Sequence, residues 1–507
     1  MEGLINFFVV LESFLTFESF LLLLLSTTLG VVIGALPGLT ATLGIALLTG
    51  LTFTVPKIYA LTVLMGVYFG AIYGGSITAI LINIPGTGSA AATCLDGYPL
   101  ALKGEAGSAI RITRAASVFG TFFGALCLVL ITPIVTKLAL QFTSAEYFLL
   151  ALFGILICGS VSASDLAIKG WAAGIIGIFI AMVGIDPLQG MARFTFGNRN
   201  LLSGINVIPP MIGFFAIPQI IKTLCSEKDK KNELQKNEHS GKKVSTIGML
   251  LKHKWLIARS AAIGVGVGAL PGVGENIAAW LAYGNAMKTS KHPKEFGSGI
   301  YEGIIAPEVA NNAAIGGALI PLLSLAIPGS PPTAVLLGAL LLHGIRPGPM
   351  LHAEFPMFLY EISSLLFLGS LMLWVVGVLF SKPLEKVITI PNGILMPIVA
   401  ALCIIGSYSI NNSMFDLVIM FVFGIIGYAL TVMEYPSAAI VLGMILGGLL
   451  DENLRRALMV SRGSIMPFFV RPIALVFSIA VLYTIIGPFI SQKIRTKLTD
   501  MAKSSGD

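Results

Sequence analysis

Long apolar segments follow one another along this chain, and most polar residues stand in the short intervals between them. Segments of about twenty apolar residues, each sufficient to cross a bilayer as a helix, recur over nearly the whole length. The pattern predicts an all-α polytopic membrane protein with about 11–14 transmembrane segments.

One polar interval is long enough to be a linker. Residues 226–254 are rich in Lys and lack a hydrophobic face, and an excess of Lys and Arg marks cytoplasmic loops. We therefore predict a division of the chain into four parts. These are a first transmembrane repeat (1–225), a basic cytoplasmic linker (226–254), the core of a second transmembrane repeat (255–380), and C-terminal transmembrane helices with a tail (381–507).

The two halves repeat the same interruptions in the same order. "GALPG" occurs at residues 34–38 and 268–272, and "YGGSITAILINIPGTGSAA" (73–91) resembles "IGGALIPLLSLAIPGSPPTA" (315–334). Each half thus holds a Pro-Gly break, a Gly-Gly pair and an Ile-Pro-Gly break. We expect an internal duplication with inverted halves, because inverted repeats around a central site make alternating access simple to build.

Helix breaks in a membrane segment point to a binding site. Irregular backbone in lipid is tolerated only where it lines a cavity or is buried in protein, and paired breaks in two halves indicate a transporter's substrate site. A helix that begins there presents N–H groups and a positive dipole end to an anion. One helix end contributes about 0.3–1 kcal/mol, whereas micromolar binding needs roughly −8 kcal/mol. We therefore expect several helix N-termini to converge on the substrate, and we expect that substrate to be an anion with more than one charged group.

The predicted substrate-binding residues belong to the four breaks and to the polar positions beside them. They are Pro37, Gly38, Thr40, Thr42, Asn83, Pro85, Gly86, Thr87, Gly88, Ser89, Pro271, Gly272, Asn276, Pro328, Gly329, Ser330 and Thr333. Thr87 and Ser330 each follow an Ile-Pro-Gly break at a predicted N-cap. The alternative is that the breaks only kink packed helices and that the hydroxyls cap them locally.

A second group of polar residues suggests a coupling-ion site. Glu308, Asn311 and Asn312 have the i, i+3, i+4 spacing that places them on one helix face, and an acid inside a membrane segment is a functional-site hypothesis. The carboxyl suits a proton and the amide oxygens suit Na⁺; Glu275, after the third break, joins this group. The alternative places Glu308 at a water-exposed helix end that follows Pro307.

Composition narrows the protein class. The chain is 56% hydrophobic and only 11% charged, whereas soluble proteins carry about 25% charged residues. The net charge of +7 is explained by Lys-rich loops, and the five cysteines lack metal-ligand spacing, so no cofactor beyond the coupling cation is expected. The N-terminus has no cleavage-site pattern, and its first apolar segment should remain a transmembrane helix. Asp96, between turn-forming residues, is interpreted as a loop acid.

The longest motifs resemble one known family. "GALPGLTATLG", "YGGSITAILINIPGTGSAAATCLDGYPLALKGEAGSAI" and "GALPGVGENIAAWLAYG" resemble the TctA large membrane subunit of the tripartite tricarboxylate transporter family. The resemblance implies a permease of the bacterial inner (cytoplasmic) membrane that imports a small di- or tricarboxylate with a Na⁺ or H⁺ gradient. It also implies two partners, a small TctB-like membrane subunit and a TctC-like periplasmic solute-binding protein. The family's Glu-x-x-Asn-Asn pattern falls on Glu308, Asn311 and Asn312.

Two positions depart from the family's pattern, and three other functions remain open. Gln219 stands where an acid is more usual, and Pro331-Pro332 where small or hydroxyl residues are more usual, which puts the identity of the carboxylate in question. The alternatives are a carrier that works without a binding protein, a passive channel and an intramembrane enzyme. The enzyme is disfavoured because His239, His253 and His292 lie in polar stretches, away from any membrane-depth serine.

Overall fold

The computed structural model describes residues 2–36, 38–162, 167–225, 245–380 and 392–487. Helices account for nearly all regular structure in these ranges, and the all-α prediction is confirmed. The helices are α1 (Glu2–Ser13), α2 (Phe17–Ala35), α3 (Ala41–Thr52), α4 (Lys57–Ile82), α5 (Ala91–Leu102), α6 (Ala106–Ala139), α7 (Ser144–Ser162), α8 (Ala167–Ala181), α9 (Ile208–Cys225), α10 (Thr246–Lys252), α11 (Lys254–Gly268), α12 (Gly274–Thr289), α13 (Glu302–Leu325), α14 (Pro331–Leu342), α15 (Leu351–Glu354), α16 (Phe358–Leu379), α17 (Asn392–Asn411), α18 (Met414–Val432), α19 (Ser437–Val460), α20 (Pro467–Val470) and α21 (Pro472–Gly487).

The lengths of the helices fit a multi-pass membrane protein. In the described ranges, ten helices are long and apolar enough to cross a bilayer, and four shorter apolar helices accompany them. Two of the short ones, α3 and α14, begin directly after a Pro-Gly break, as expected for helices that start inside the membrane. A short antiparallel pair, β1 (Gly184–Ile185) with β2 (Ala192–Arg193), lies between α8 and α9.

The chain forms two compact units. The first unit comprises Met1–Ala139 and Ile208–Tyr428, and the second comprises Leu140–Val207 and Ala429–Asp507. Packing defines these units, whereas the Lys-rich interval and the pattern of apolar segments define the predicted division at residues 225, 254 and 380. That division, and the linker within it, stays a prediction.

Within the first unit, α2 and α4 pack so closely that side chains have no room between them. Methyl groups at Gly30 and Gly34 would overlap the main chain of Val67 and Ala71, and one at Gly86 would overlap the carbonyl oxygen of Gly34. Glycine is therefore required here by close approach. The second break is thereby held against the end of α2.

The second half repeats this packing with α11 and α13. Methyl groups at Gly264 and Gly268 would overlap the main chain of Ala310 and Ala314, and one at Gly329 would overlap the carbonyl oxygen of Gly268. These residues occupy the same places relative to "GALPG" and to the Ile-Pro-Gly break as their counterparts in the first half. The duplicated motifs thus build the same backbone contacts twice.

The breaks also share their backbone conformations. Gly38 and Gly272 have φ angles of 93° and 72°, in the region that favours glycine. Helices α4 and α13 both end on a left-handed residue, Asn83 with φ 56° and Ala326 with φ 59°. The two halves therefore interrupt their helices in the same way, while their inverted direction stays a prediction.

The glycine packing predicts different effects for two neighbouring substitutions in α11. Gly268→Ala should lower stability by about 1–3 kcal/mol, because the methyl group is forced into a packed backbone. Gly266→Ala is the matched control, since nothing lies within 4 Å of the added methyl group. Thermal unfolding midpoints of the purified variants in detergent provide the measurement. Equal midpoints for the two variants would contradict the proposed packing.

Candidate functional site

A buried acid on α13 joins the two halves of the first unit. Glu308 is fully buried, and its Oε1 accepts a hydrogen bond of 2.6 Å from Thr93 on α5. Its Oε2 accepts one of 3.0 Å from Ser117 on α6, and Ser76 on α4 lies beside the same carboxyl. The acid thus comes from the second half, while its hydrogen-bond donors come from the first.

The two asparagines extend this centre along α13, as their spacing predicted. Asn312 Nδ2 donates to the carbonyl of Glu308 over 3.0 Å and to Asn311 Oδ1 over 2.7 Å. Asn312 Oδ1 in turn accepts from Thr121 on α6 at 3.3 Å. All of these side chains are fully buried, so the centre offers carboxyl, amide and hydroxyl oxygens in one enclosed place.

The alternative prediction, which placed Glu308 at a water-exposed helix end, is wrong. The helix begins at Glu302 and continues through Pro307, so Glu308 does not lie at an exposed helix end. Pro307 carries no N–H, so the helix continues past it without a hydrogen bond from residue 307 to the carbonyl of Gly303. Among the described residues, no Lys, Arg or His forms an ion pair with Glu308 or with Glu275.

A second buried acid lies at the start of α14. Glu275, on the first turn of α12, accepts a hydrogen bond from the hydroxyl of Tyr68 on α4. The Tyr68 hydroxyl lies 3.0 Å from Ser330 Oγ, and the Ser330 hydroxyl also lies beside the Glu275 carboxyl. Tyr68 belongs to the first half, whereas Glu275 and Ser330 belong to the second. This contact, like the one at Glu308, therefore connects the halves.

At the N-terminus of α14, which we call its tip, the backbone N–H groups of the first turn are either hydrogen-bonded or replaced by proline. Ser330 is the N-cap, as predicted, and Thr333 completes a capping box: Thr333 N donates to Ser330 Oγ at 3.4 Å, and Ser330 N donates to Thr333 Oγ1 at 2.8 Å. Pro331 and Pro332 occupy the first helical turn and carry no N–H. The backbone of this tip consequently offers no free N–H group in its first turn, and its polar side chains are buried.

The corresponding tip in the first half is more open. Thr87 precedes a short 3₁₀ turn, Gly88–Ala90, and its hydroxyl lies 3.1 Å from Ser89 Oγ instead of capping the turn. Gly88 is exposed, and a methyl group added to it would lie 2.8 Å from Nδ2 of Asn276, which is also exposed. The start of α12 therefore places Glu275 at one tip and Asn276 at the other.

The first break lies against α9. Gly38 packs beside the side chain of Gln219, and Gln219 Nε2 donates to Thr223 Oγ1 at 3.1 Å. Thr40 caps its own helix by accepting from Leu43 N at 3.2 Å, and Thr42 is buried within α3.

The remaining predicted residues occupy two kinds of position. Asn83 and Pro85 are exposed beyond the end of α4, whereas Gly272 N donates to the carbonyl of Pro328 over 3.2 Å and links the third break to the fourth. Pro271 is buried within the third break, and Pro37 lies outside the described residues. Substrate binding by the predicted residues stays a prediction.

Sequence reasoning missed five residues of these centres, and one of them had a detectable signal. If the two Ile-Pro-Gly breaks are aligned, Tyr68 falls on the position of Asn311. The polar side chain of Tyr68, at the position equivalent to Asn311 in the duplicated helix, was therefore a sign that could have identified it. The other four, Ser76, Thr93, Ser117 and Thr121, had none, because a buried Ser or Thr in an apolar helix usually bonds to its own backbone.

The turn-forming neighbours of Asp96 predicted a loop acid, and this prediction is wrong. Asp96 lies within α5 and is fully buried. Gly97 serves close packing instead of a turn, since a methyl group there would lie 2.8 Å from Ile80. Pro99 is tolerated inside the helix, and packing has overridden the turn preference of both residues.

The Asp96 carboxylate organises the loop between α12 and α13. Its Oδ1 accepts hydrogen bonds from the backbone N–H groups of Gly297 (2.9 Å), Gly299 (2.8 Å) and Ile300 (3.0 Å). Its Oδ2 accepts from the hydroxyl of Tyr283 at 2.9 Å. One side chain of the first half thus fixes a loop of the second half that leads directly into the helix of Glu308.

Removal of the Asp96 carboxylate should free this loop. In Asp96→Ala the three backbone donors lose their acceptor, and we expect trypsin to cleave at Lys291 and Lys294 about tenfold faster, because each hydrogen bond to a charged group contributes about 1.5–3 kcal/mol and cleavage follows loop opening. Mass spectrometry of the fragments from protein in detergent identifies the sites. Glu295→Ala, an exposed change in the same loop, is the control. Equal cleavage rates in the two variants would argue against this role.

The fold and the two buried acids between duplicated, broken helices define a multi-pass membrane protein of the transporter class. The chain belongs to the tripartite tricarboxylate transporter TctA family, which matches residues 20–442. This confirms the resemblance seen in the motifs. The family and the helical membrane fold indicate a tricarboxylate transporter subunit and not an enzyme.

Two relatives from Agrobacterium vitis are similar to this chain. One, described as "Uncharacterized 52.8 kDa protein in TAR-I ttuC' 3'region", is 37% identical over 479 residues, which is 94% of both chains. The other, "Uncharacterized protein in TAR-II ttuC' 3'region", is 41% identical over 208 residues, which cover 41% of this chain and 86% of that protein. No solved structure matches the chain.

Proposed function

We propose that the protein is the large permease subunit of a tripartite secondary transporter in the bacterial inner membrane. It imports a small di- or tricarboxylate that a periplasmic binding protein delivers, and a small membrane subunit completes the complex. A Na⁺ or H⁺ gradient drives uptake through alternating access. The observation that carries this proposal is the pair of buried acids, Glu275 and Glu308, each hydrogen-bonded across the two halves and neither in a described ion pair.

The substrate side of the proposal rests on the start of α12. Thr87, Ser89 and Asn276 bring hydroxyl and amide donors to the open tip of the first half. Glu275 is next to Asn276 in the chain but lies at the other tip, buried against Tyr68 and Ser330. A negative charge nearby disfavours a second one, so a substrate carboxylate at the open tip favours the protonated form of Glu275, which no longer repels the substrate.

The coupling side rests on Glu308. A carboxylate enclosed without a cation is costly, so a closed site favours a proton on Glu308 or a Na⁺ ion among its oxygen neighbours. The hydroxyls of Thr93 and Ser117 come from the other half, and a movement that separates the halves exposes Glu308 to water. Opening then releases the cation, which links the conformational change to the ion gradient.

Neutralisation of Glu308 tests this coupling. Glu308→Gln should abolish the gradient-driven accumulation of substrate in proteoliposomes, while exchange of labelled for unlabelled substrate continues, because the amide can still form hydrogen bonds with Thr93 and Ser117 but has neither a proton to release nor a negative charge to balance Na⁺. Glu302→Gln, at the first residue of the same helix, should leave both activities near wild type. Wild-type accumulation by Glu308→Gln would contradict the coupling role.

Reconstituted uptake tests the overall function. The complex, reconstituted with its binding protein, should accumulate citrate, succinate or a similar carboxylate only when that protein is present outside and a Na⁺ or pH gradient is imposed. Imposing the two gradients separately identifies the ion. Uptake that needs a gradient but ignores the binding protein would favour an independent carrier, and uptake that ignores both would contradict the proposal.

A further inference from the structure

The segment between α8 and α9 carries unusually exposed apolar side chains. Phe196 is 90% exposed, the highest value among the large apolar residues that the structure describes, and Met191 is 66% exposed. Phe194, two residues before Phe196, is half-exposed. These three residues and Arg199, which is also exposed, form what we call the aromatic loop (residues 191–199).

The backbone holds the two phenylalanines in an uncommon conformation. Phe194 and Phe196 have φ angles of 54° and 47°, in the left-handed region that bulky residues rarely adopt. Such conformations persist only where the surroundings enforce them, and they cluster at sites that bind ligands. Thr195, between them, is buried, and its carbonyl accepts a hydrogen bond from Asn198 N at 2.8 Å.

An ion cluster fixes the base of the aromatic loop. Arg455, near the end of α19, donates to both oxygens of the buried Asp186, over 2.7 and 2.6 Å. Arg193 pairs with Asp451 at 3.1 Å, and Asp186 N donates to the carbonyl of Met191 at 2.8 Å. The loop is therefore presented in one conformation, and a partner does not need to order it on binding.

The chain path places this loop on the membrane face opposite the Lys-rich linker. Helix α9 is long enough to cross a bilayer, and its last residue, Cys225, precedes residues 226–254, which the positive-inside rule assigns to the cytoplasm. The segment before its first residue, Ile208, then lies on the outer face of that membrane. Under the proposed function this face is the periplasm.

The composition of the loop favours a protein partner over lipid. Residues 182–207 contain neither Trp nor Tyr, the residues that anchor loops at the membrane interface. The apolar side chains alternate with polar and charged ones, so they form no continuous lipid-facing surface. Phe, Met and Arg, the exposed types here, are enriched where proteins bind each other.

We propose that the aromatic loop docks a water-soluble protein, which under the proposed function is the solute-binding component. The partner supplies an apolar pocket for Phe196 and an acidic side chain for Arg199, since the other charges at the base of the loop are already paired. This inference rests on the proposed function for the identity of the partner.

Uptake at varied concentrations of the binding protein tests the docking. In proteoliposomes, Phe194→Ala together with Phe196→Ala should raise the half-saturating concentration of the binding protein at least about tenfold, as expected for central interface residues, and leave the maximal rate unchanged. Trp255→Ala is the control: this residue is 79% exposed and follows the linker on the opposite face. It should leave both values unchanged.

Chemical labelling gives a second measurement. In a Cys225→Ser background, Phe196→Cys should react with a membrane-impermeant maleimide in right-side-out vesicles, and the binding protein should protect it. Labelling only after detergent treatment would show that the loop lies in lipid or on the other face, and would overturn the inference. Unchanged half-saturation in the double alanine variant would also overturn it, while wild-type uptake that ignores the binding protein would contradict the proposed function and the docking partner together.

Discussion

Close contact between helix backbones is the interaction on which the rest of this structure depends. A break inside the membrane leaves amide and carbonyl groups that lipid cannot satisfy. Here Gly34 and Gly268 let α2 and α11 approach α4 and α13, and Gly86 and Gly329 bring the following break onto the same carbonyls, so protein covers part of each interrupted backbone. Larger side chains at these places would separate the helices and expose the broken backbone. The duplicated glycines are thus a condition for the polar centre.

The two buried acids share one design. Glu308 belongs to the second half and receives its hydrogen bonds from α5 and α6 of the first. Tyr68 reaches in the opposite direction, from α4 of the first half to Glu275 of the second. Each half therefore completes a polar cluster whose other members belong to its counterpart. Relative movement of the halves changes both clusters at once, which suits the proposed coupling of substrate to ion.

Much of the fold and part of the candidate site could be predicted from the sequence. Hydrophobic length indicated the helices, and "GALPG" indicated the breaks because Pro and Gly act locally. The spacing of Glu308, Asn311 and Asn312 was enough to place them on one face. The hydrogen-bond partners of Glu308 on other helices could not be predicted, because Thr93 and Ser117 look like ordinary helix residues in the sequence. The error at Asp96 had the same origin, because long-range packing decided the structure of a segment that contains turn-forming residues.

The two Ile-Pro-Gly tips differ in their need for water. At the α14 tip, Ser330 and Thr333 satisfy each other and two prolines remove further donors, so the backbone donors of this end need no water. The Thr87 tip is next to the exposed Gly88 and Asn276, where solvent reaches polar groups. Under the proposed function, a ligand at the Thr87 tip replaces water around these groups, whereas the buried side chains of the α14 tip are already hydrogen-bonded. Access to water thus distinguishes two helix ends whose Ile-Pro-Gly sequences are the same.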